Sequence, residues 1–465
     1  MNLTNSFIIE KNIKNIKEMY MAGNALTFKK GVHIKEFKEL SENSELLTLP
    51  TPQEVVIPLT QHIGAPSKCL VNKKDEVHIG DLIGQAVGNF SANIHSSVNG
   101  VVKDIIDIQT ASGKNSQAVV IDTEGYDQEK EYILNENVNL NKEEIVAKIK
   151  EAGIVGMGGA AFPTHIKYTP AKEIDTVIVN GAECEPYVTC DDFILKNRPE
   201  NIIKGLEILV VASGAKDGII AIEDNKPRAF DAISTYLETY ANNATNKPNL
   251  KVVKLATKYP QGDEKRLIDA TLNRVVPSGG LPMDAGVIVS NVSTVNAVYE
   301  AVYYDKPLYE RVMTVTGHNV KNPQNVVVKV GTSFEYAIDA VGGLNGEIGK
   351  LISGGPMMGI AQPNAGNPVE KATNCILVQT KGEAIPADIE PCIRCSRCVD
   401  VCPVNLLPLY IHKFALNEKF DQAEDYRIMD CIECGSCSYI CPSKRPLVEA
   451  IRFGKRQIRQ AGKGK

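Results

Sequence analysis

The chain has 465 residues, of which 43% are hydrophobic and 23% charged, as is usual for a water-soluble globular protein. This length exceeds what one compact core can hold and predicts three or four domains. A formal net charge of -5, without any basic tract, argues against nucleic acid as a partner. No apolar run approaches the roughly 20 residues that a transmembrane segment needs.

The first 28 residues mix lysines and glutamates with apolar residues. A signal peptide needs a continuous apolar stretch, so none is predicted here. We therefore expect the protein to be cytoplasmic, or attached to the inside of a membrane by its partners. The stretch itself is either an amphipathic surface helix or a frayed extension.

Short apolar runs alternate with turns between Val55 and Ile106. This pattern resembles the barrel–sandwich hybrid fold of lipoyl and biotinyl domains. No lysine in it is flanked as a lipoylation site would be, so we expect a scaffold and not a carrier.

A glycine-rich run follows a predicted helix in the middle of the chain. Asn141 and Glu144 have the spacing of a capping box, which predicts a helix over Glu143–Lys150, closed by Gly153. Four glycines then occur in seven residues, which allows the backbone to approach a phosphate or an isoalloxazine ring closely. The run matches the dinucleotide fingerprint only formally, because it follows a helix and is broken by Pro163. A plain glycine-rich turn is the alternative.

Two predicted strands end in polar residues that suit a ligand. The strand Thr176–Val179 leads into NGAECEPY, and the strand Val287–Val289 leads into SNVST. Further strands are predicted near 218–222 and 251–255, with helices over 202–211 and 228–240. This alternation predicts an α/β domain with a largely parallel sheet, whose strand ends are where ligands bind.

Eight of the twelve cysteines form two runs that each read C-x2-C-x2-C-x3-C-P. Three closely spaced thiolates hold one 4Fe-4S cluster, and the fourth reaches the other cluster, as in two-cluster ferredoxins. The first predicted ligand set is Cys392, Cys395, Cys398 and Cys441. The second predicted set is Cys431, Cys434, Cys437 and Cys402. Zinc is the alternative, but tandem runs closed by Cys-Pro disfavour it.

The surroundings of the two runs are predicted to be helical. Two helical segments are expected between Leu406 and Asp430, and the basic tail Arg452–Lys465 reads as a solvated helix or a docking surface. Cys184 and Cys190 do not have ligand spacing and are predicted to be free thiols. His33 and His165 lie beside the motifs and are minor site candidates.

Four segments together resemble the flavoprotein subunit of respiratory complex I. They are GMGGAAFPTHIKY, NGAECEP, YPQGDEKRLI and SNVSTVNAV, in that order and at similar spacing. The sequence departs from that pattern at Met157, where arginine is usual, and at Cys184, where glycine is usual. The resemblance implies FMN contacts from Gly156, Gly158, Gly159, Lys167, Asn180, Glu183 and Asn291. It implies that Phe162, Glu185 and Glu264 lie on the NADH side.

From Lys29 to Pro446 the chain resembles the C subunits of the Rnf complex, the ion-pumping ferredoxin:NAD+ oxidoreductase of bacterial membranes. Residues Arg311–Val341 resemble the β-grasp SLBB module of the same flavoproteins. The fold implied is α/β and multidomain, with a barrel–sandwich hybrid, an FMN domain, an SLBB module and a helical two-cluster ferredoxin-like domain. The expected boundaries are 1–28 for an extension, then 29–125, 130–305, 306–375 and 380–465 for the four domains.

The resemblance also implies a function. We expect a peripheral subunit on the cytoplasmic face of the cell membrane that passes electrons between NAD(H), FMN and two 4Fe-4S clusters. Its partners would be the membrane subunits of the Rnf complex and, indirectly, ferredoxin. Two alternatives stay open: a non-catalytic iron–sulfur adaptor, and the flavin subunit of a soluble NAD-linked hydrogenase or bifurcating dehydrogenase.

Overall fold

The computed structural model describes residues 21–22, 25–125, 129–136, 138–242 and 248–462. The possible helix in the first 20 residues lies outside these described parts. Directly after it come strands β1 (Met21–Ala22) and β2 (Ala25–Leu26), which pair with each other. β2 also pairs with the central sheet at Leu255. Phe28 is buried, so residues 25–28 are part of the α/β domain and not a loose extension.

The barrel–sandwich hybrid consists of two small antiparallel sheets around one apolar core. Val55, Ile57, Ile83, Val102 and Ile121 fill this core. Strand β3 (Leu47–Thr48) precedes the barrel but pairs with a later sheet. The larger barrel sheet has the order β4-β10-β9-β6 and the smaller one β5-β7-β8. The strands are β4 (Glu54–Pro58), β5 (Lys68–Cys69), β6 (Glu76–Val77), β7 (Leu82–Gln85), β8 (Ile94–His95), β9 (Gly100–Gln109) and β10 (Asn115–Asp122).

The central domain is a six-stranded sheet of order β1-β2-β13-β12-β11-β14, in which β2 and β11 to β14 run parallel. Its strands are β11 (Thr176–Gly181), β12 (Asp217–Glu223), β13 (Asn249–Leu255) and β14 (Val287–Asn291). Apolar side chains of β11 and β12 point alternately to two cores, one on each face. Helices cover both faces, so the predicted α/β architecture is confirmed.

The helices of the central domain follow the predicted order. The capping box of Asn141 and Glu144 is formed, and it opens the first helix one residue earlier than predicted. The helices are α1 (Lys142–Glu151), α2 (Thr164–Lys167), α3 (Cys190–Asn197), α4 (Pro199–Ser213), α5 (Pro227–Asn242), α6 (Glu264–Leu272) and α7 (Val292–Tyr304).

The β-grasp module packs helix α8 (Phe334–Ala340) against a mixed sheet of order β18-β17-β19-β15-β16-β3. Its strands are β15 (Glu310–Thr316), β16 (Gln324–Lys329), β17 (Lys350–Ser353), β18 (Ile360–Gln362) and β19 (Cys375–Gln379). β3 comes from the segment before the barrel, so the chain enters this module twice.

The C-terminal domain is helical, as predicted. Two helices and a short 3-10 turn, Ile428–Asp430, separate the cysteine runs. The helices are α9 (Lys381–Ala384), α10 (Arg397–Asp400), α11 (Pro408–Leu416), α12 (Phe420–Asp425), α13 (Ser436–Ile440) and α14 (Leu447–Gly462). The prediction that the basic tail is a solvated helix was half right. α14 is helical, but Gly454 and Lys455 within the tail are buried against the domain.

None of the helices in the described ranges combines the length and the apolar character that a bilayer span requires.

Candidate flavin site and cysteine cavities

The glycine run forms a tight loop between α1 and α2. The amide of Gly156 donates to the carbonyl oxygen of Phe162 at 2.8 Å, and Met157 N donates to Thr294 Oγ1 at 2.9 Å. These bonds tie the loop to the start of α7 and leave Gly158 and Gly159 exposed. The loop follows a helix and not a strand, so the Rossmann interpretation is wrong, as the sequence indicated.

The two exposed glycines have different reasons to be glycine. A Cβ on Gly158 would lie 2.6 Å from Nδ2 of Asn291, so close packing requires glycine there. A Cβ on Gly159 would meet no protein atom within 4 Å. Gly159 therefore borders open space that a flat ligand can fill.

The ends of the parallel strands meet beside this loop. Asn180 on β11 and Asn291 on β14 are directly opposite each other in the sheet register. Asn180 Nδ2 donates to Gly262 O at 2.8 Å, and Asn291 Nδ2 donates to Asp191 Oδ2 at 2.5 Å. Both predicted amides thus lie at one sheet edge and are already oriented by protein partners.

Lys167 and Glu264 form an ion pair at the opening of the site. Lys167 Nζ lies 2.7 Å from Glu264 Oε1 and 3.1 Å from the carbonyl oxygen of Val289. Both side chains remain partly exposed. The ammonium group is therefore held at the strand end, where it can face an anionic ligand.

The two glutamates of the NGAECEP segment point into the protein. Glu183 Oε1 accepts a hydrogen bond from Asp191 N at 2.8 Å and so caps the start of α3. Burial raises the pKa of Glu183 to about 8, although Lys38 opposes this shift. Glu185 Oε1 accepts from the amides of Met357 at 2.7 Å and Met358 at 3.0 Å, and burial raises its pKa. Both carboxylates therefore brace this segment, and their ligand contacts stay predictions.

The remaining candidates lie at the edge of the site. The ring of Phe162 packs edge-to-face on Phe90 of the barrel, with centroids 6.0 Å apart. His165 is buried and His33 is exposed. Cys190 is buried and Cys184 partly buried, and the prediction that both are free thiols stays a prediction.

Sequence reasoning missed two residues that organise the site. Lys38 is 6% exposed, and its ammonium donates to the carbonyl oxygens of Glu183 (2.8 Å), Glu185 (3.1 Å) and Val188 (2.6 Å). Asp191 accepts from Asn291 Nδ2 and, at 2.7 Å, from Ser293 Oγ. No local motif marks either residue, because their partners lie about 100 or more positions away along the chain.

The eight cysteines of the two runs line two separate cavities. The two cavities are similar in size. Among the described residues, no three potential metal ligands come close enough to share one ion. The first cavity, termed the inner cavity, is lined by Cys402, Cys431, Cys434 and Cys437. The second, termed the outer cavity, is lined by Cys392, Cys395, Cys398 and Cys441.

Each cavity thus combines three cysteines of one run with the last cysteine of the other run. Apart from the thiols, the inner cavity is walled mainly by apolar side chains, including Val404, Leu406 and Ile451. Four thiols around an apolar hollow suit a 4Fe-4S cluster, which takes thiolate ligands and is tuned by its shielding from water. The residues present therefore fit two clusters.

The inner cavity adjoins the flavin site. Tyr259 Oη donates to the carbonyl oxygen of Cys434 at 2.7 Å. Cys184 and Met357 pack into the same small apolar cluster as Tyr259 and Cys434. Arg266 extends this junction by donating to Pro403 O at 2.5 Å. The wall of the inner cavity is therefore in contact with both the NGAECEP and the YPQGDEK segments.

Comparison with known proteins agrees with this architecture. The chain matches four families in sequence order. They are the RnfC barrel sandwich hybrid domain (residues 26–126), the Nuo51 FMN-binding domain (149–300), the SLBB domain (312–361) and the 4Fe-4S dicluster domain (391–445). These matches confirm the predicted fold class and the predicted cofactors, FMN and two 4Fe-4S clusters. The zinc alternative is therefore wrong. The domain boundaries and the ligand residues stay predictions.

Curated relatives match over nearly the whole chain. The C subunit of the Na+-translocating ferredoxin:NAD+ oxidoreductase complex of Acetobacterium woodii is 43% identical over 93% of this chain and 97% of its own length. The C subunit of the proton-translocating complex of Clostridium ljungdahlii is 42% identical, covering 94% of this chain and 95% of the relative. The C subunit of the ion-translocating oxidoreductase complex of Rhodobacter capsulatus is 38% identical, covering 96% and 86%. The chain belongs to the RnfC family.

Among solved structures, the chain is similar to NAD+-reducing NiFe-hydrogenase in its H2-reduced state. The match has 19% identity and a TM-score of 0.46, and it covers 68% of this chain and 60% of the other.

Proposed function

We propose that this chain is the peripheral subunit of a membrane-bound, ion-translocating ferredoxin:NAD+ oxidoreductase, at which electrons pass between NAD(H), FMN and two 4Fe-4S clusters. The proposal rests on one observation above all. The flavin site and the inner cysteine cavity share the contact between Tyr259 and Cys434. An electron path from a nicotinamide to a cluster needs the flavin site and the cavity to be close together. A non-catalytic adaptor has no such need.

When bound, FMN supplies the conversion between two-electron hydride chemistry and single-electron transfer, and the clusters carry single electrons. The chain's own residues bind and orient these groups. Gly159 leaves one side of the site open for a flat ring, and Gly158 lets the loop pack closely on Asn291. Lys167 offsets negative charge on the flavin or its phosphate, and Asn180 and Asn291 present amides at the sheet edge.

Glu264 is the candidate for the NAD(H) ribose, because it stays partly exposed beside Lys167. For the clusters, the proposed ligand sets are those that line each cavity. Cys402 lines the cavity of the second run, and Cys441 lines the cavity of the first run. Both clusters would therefore depend on the fold of the whole C-terminal domain.

We place the subunit on the cytoplasmic face. Twelve cysteines without any disulfide among the described residues fit a reducing compartment, which is also where NAD(H) is found.

The function is tested by purifying the chain without oxygen, extracting its flavin and titrating it with NADH. We expect FMN in stoichiometric amount, bleaching of the flavin band by NADH, and EPR signals from two reduced clusters. A preparation that holds both clusters but no flavin, and that NADH does not reduce, would show that the adaptor alternative is correct.

A substitution at Gly159 makes the flavin test specific. A Cβ added at Gly159 meets no protein atom within 4 Å, so we expect Gly159→Leu to fold while its side chain blocks the open space. We expect loss of FMN with both clusters retained. The matched control is Gly462→Leu, which also enters open space but lies at the end of α14, and it should keep its FMN.

A further inference from the structure

The two cysteine cavities differ in their access to solvent. Cys402, Cys434 and Cys437 of the inner cavity are buried, whereas Cys392 and Cys395 of the outer cavity are exposed. A 4Fe-4S cluster held by four thiolates carries negative charge, and reduction adds one electron to it. Water can offset this charge in the outer cavity, but in the inner cavity the protein itself has to supply the compensation.

A cation is buried directly behind the wall of the inner cavity. Lys455 on α14 is buried, and its ammonium donates to the carbonyl oxygen of Cys431 at 2.7 Å. Within the ranges that the structure describes, no charged side chain lines this cavity itself. Lys455 is therefore a positive charge held against the backbone of one predicted ligand, where the protein screens it much less than water would.

The close packing of α14 explains why Lys455 is buried. A Cβ on the neighbouring Gly454 would lie 2.8 Å from Ile428 Cδ1 and 3.1 Å from Ala415 Cβ. The helix can approach the turn before Cys431 this closely only because position 454 has no side chain. This approach brings Lys455 to the second cysteine run, 24 positions away along the chain.

The charge on Lys455 is only partly neutralised. Glu433 Oε1 lies 2.6 Å from its ammonium, and Glu433 Oε2 lies 3.2 Å from Nε of Arg452. Two cations share one carboxylate, which leaves the group with a net positive charge. The side chain of Glu433 is 26% exposed against 6% for Lys455, so water weakens the field of the carboxylate more than that of the ammonium.

The residues that the structure describes around the outer cavity include no buried cation. Arg394 occupies in the first run the place that Glu433 occupies in the second. Arg394 and Arg445, the two cations that line the outer cavity, are both in contact with solvent. A charge in water is strongly screened, so a surface arginine influences a cluster less than a buried ammonium does.

We propose that Lys455 is a positioning residue that raises the reduction potential of the inner cluster. The inference rests on the proposed function, which puts a 4Fe-4S cluster in the inner cavity. Lys455 touches no reacting atom and acts through the backbone of Cys431. Reduction adds one electron, and so one negative charge, to the cluster, and the buried ammonium stabilises that charge. The inner cluster therefore holds an electron more firmly than its apolar surroundings alone would allow.

The test is an EPR-monitored redox titration of the full chain loaded with FMN and both clusters, with dithionite as the reductant and without NADH. The signal of the inner cluster is the one that Cys434→Ser removes. Lys455→Gln removes the charge, while its amide can still donate to the carbonyl oxygen of Cys431. At a fixed potential, the ratio of reduced to oxidised inner cluster should fall about tenfold, which is about 59 mV for one electron. The outer cluster should not shift.

Three further variants separate the charge of Lys455 from its hydrogen bonds. Lys455→Arg keeps the charge and should keep the wild-type potential. Glu433→Gln removes the opposing carboxylate and should raise the potential of the inner cluster. Arg456→Gln is the matched control, because it removes a cation from the next, exposed position of α14, and it should leave both potentials unchanged.

Opposite shifts in Lys455→Gln and Glu433→Gln would support the proposal. A wild-type potential in Lys455→Gln, or an equal shift in Arg456→Gln, would overturn it. Where Lys455→Gln does not hold the inner cluster, Glu433→Gln decides: a raised potential supports the proposal, and an unchanged one overturns it. A wild-type chain whose inner cavity binds no cluster would instead refute the proposed function.

Discussion

At the scale of single residues, Lys38 is a buried cation beside the flavin site. Its ammonium donates to three backbone carbonyl oxygens of residues 183–188. Glu183 Oε2 lies 3.9 Å away, and the ammonium opposes the rise in the pKa of Glu183 that burial causes. The segment that leads from β11 to α3 is therefore shaped by a side chain from a distant part of the sequence.

We predict that Lys38→Met destabilises the protein by about 3 kcal/mol, because three buried acceptors and Glu183 lose their partner. Bound FMN should also be lost. The measurements are thermal unfolding and flavin content after gel filtration. Lys35→Met is the control, since the ammonium of Lys35 is exposed and only stacks on Phe37, 4.3 Å from the ring centroid. A Lys38→Met protein with wild-type stability and FMN content would refute this role.

His62 makes the barrel sensitive to acid. It is buried, and its Nε2 accepts a hydrogen bond from Ala92 N at 3.2 Å, which requires the neutral ring. Burial and the nearby Lys371 lower the pKa of His62 to about 4. As the pH falls below about 6.5 the unfolded chain takes up this proton first, so stability is complete above that pH and is lost down to about pH 4.

We predict a loss of roughly 3 kcal/mol from this residue across that range. The thermal midpoint should therefore decline between pH 7 and pH 5. It should decline less in His62→Gln, whose amide can still accept from Ala92. His78→Gln is the control because His78 is exposed, and its pH profile should match that of the wild type. Identical profiles for all three proteins would disprove the assignment.

At the scale of elements, the two cysteine runs of the C-terminal domain are linked, because the last cysteine of each run lines the cavity of the other run. Cys402 follows α10 and lines the inner cavity, while Cys441 follows α13 and lines the outer cavity. α11 and α14 pack between the runs through buried side chains such as Ile411 and Ile451. Each cluster therefore depends on both halves of the domain.

We predict that Cys441→Ser removes the EPR signal of the outer cluster and spares that of the inner cluster. Cys402→Ser should have the opposite effect, because each serine replaces a ligand of the cluster held mainly by the other run. The signals are assigned by comparison with Cys395→Ser and Cys434→Ser. Loss confined to the cluster of the mutated residue's own run would refute the crossed assignment.

The elements were largely predictable from sequence, and the orientation of site residues was not. Alternation of apolar strands and helices predicted β11 to β14, and the spacing of Asn141 and Glu144 predicted the start of α1. The inward turn of Glu183 and Glu185 could not be foreseen. It depends on amides of Asp191 and Met357, and Met357 lies 172 positions away from Glu185. Local pattern determines which element forms, whereas side-chain direction depends on distant partners.

At the scale of the whole molecule, the cluster domain is fastened to the flavin domain at several points. Gly31 N donates to Val401 O at 3.2 Å, and Arg266 donates to Pro403 O. Tyr259 adds its bond to Cys434 O. These contacts keep the inner cavity against the flavin site.

We predict that Arg266→Met slows electron transfer from flavin to the clusters several-fold, because the junction loosens. Reduction of FMN by NADH should stay unchanged. Rapid-mixing absorbance separates these two steps. Lys265→Met is the matched control, since Lys265 bonds only weakly to Pro277 within its own domain. Equal rates in both variants would show that the Arg266 contact does not maintain the path.

The unequal exposure of the two cavities has a practical consequence for handling the protein. Oxygen and chelators can reach Cys392 and Cys395 directly, but the inner thiols lie behind Tyr259, Val404 and Ile451. Exposure to air should therefore destroy the cluster of the outer cavity first. A sample prepared on the open bench would then contain flavin and one cluster, and it would give an iron content close to half of the true value.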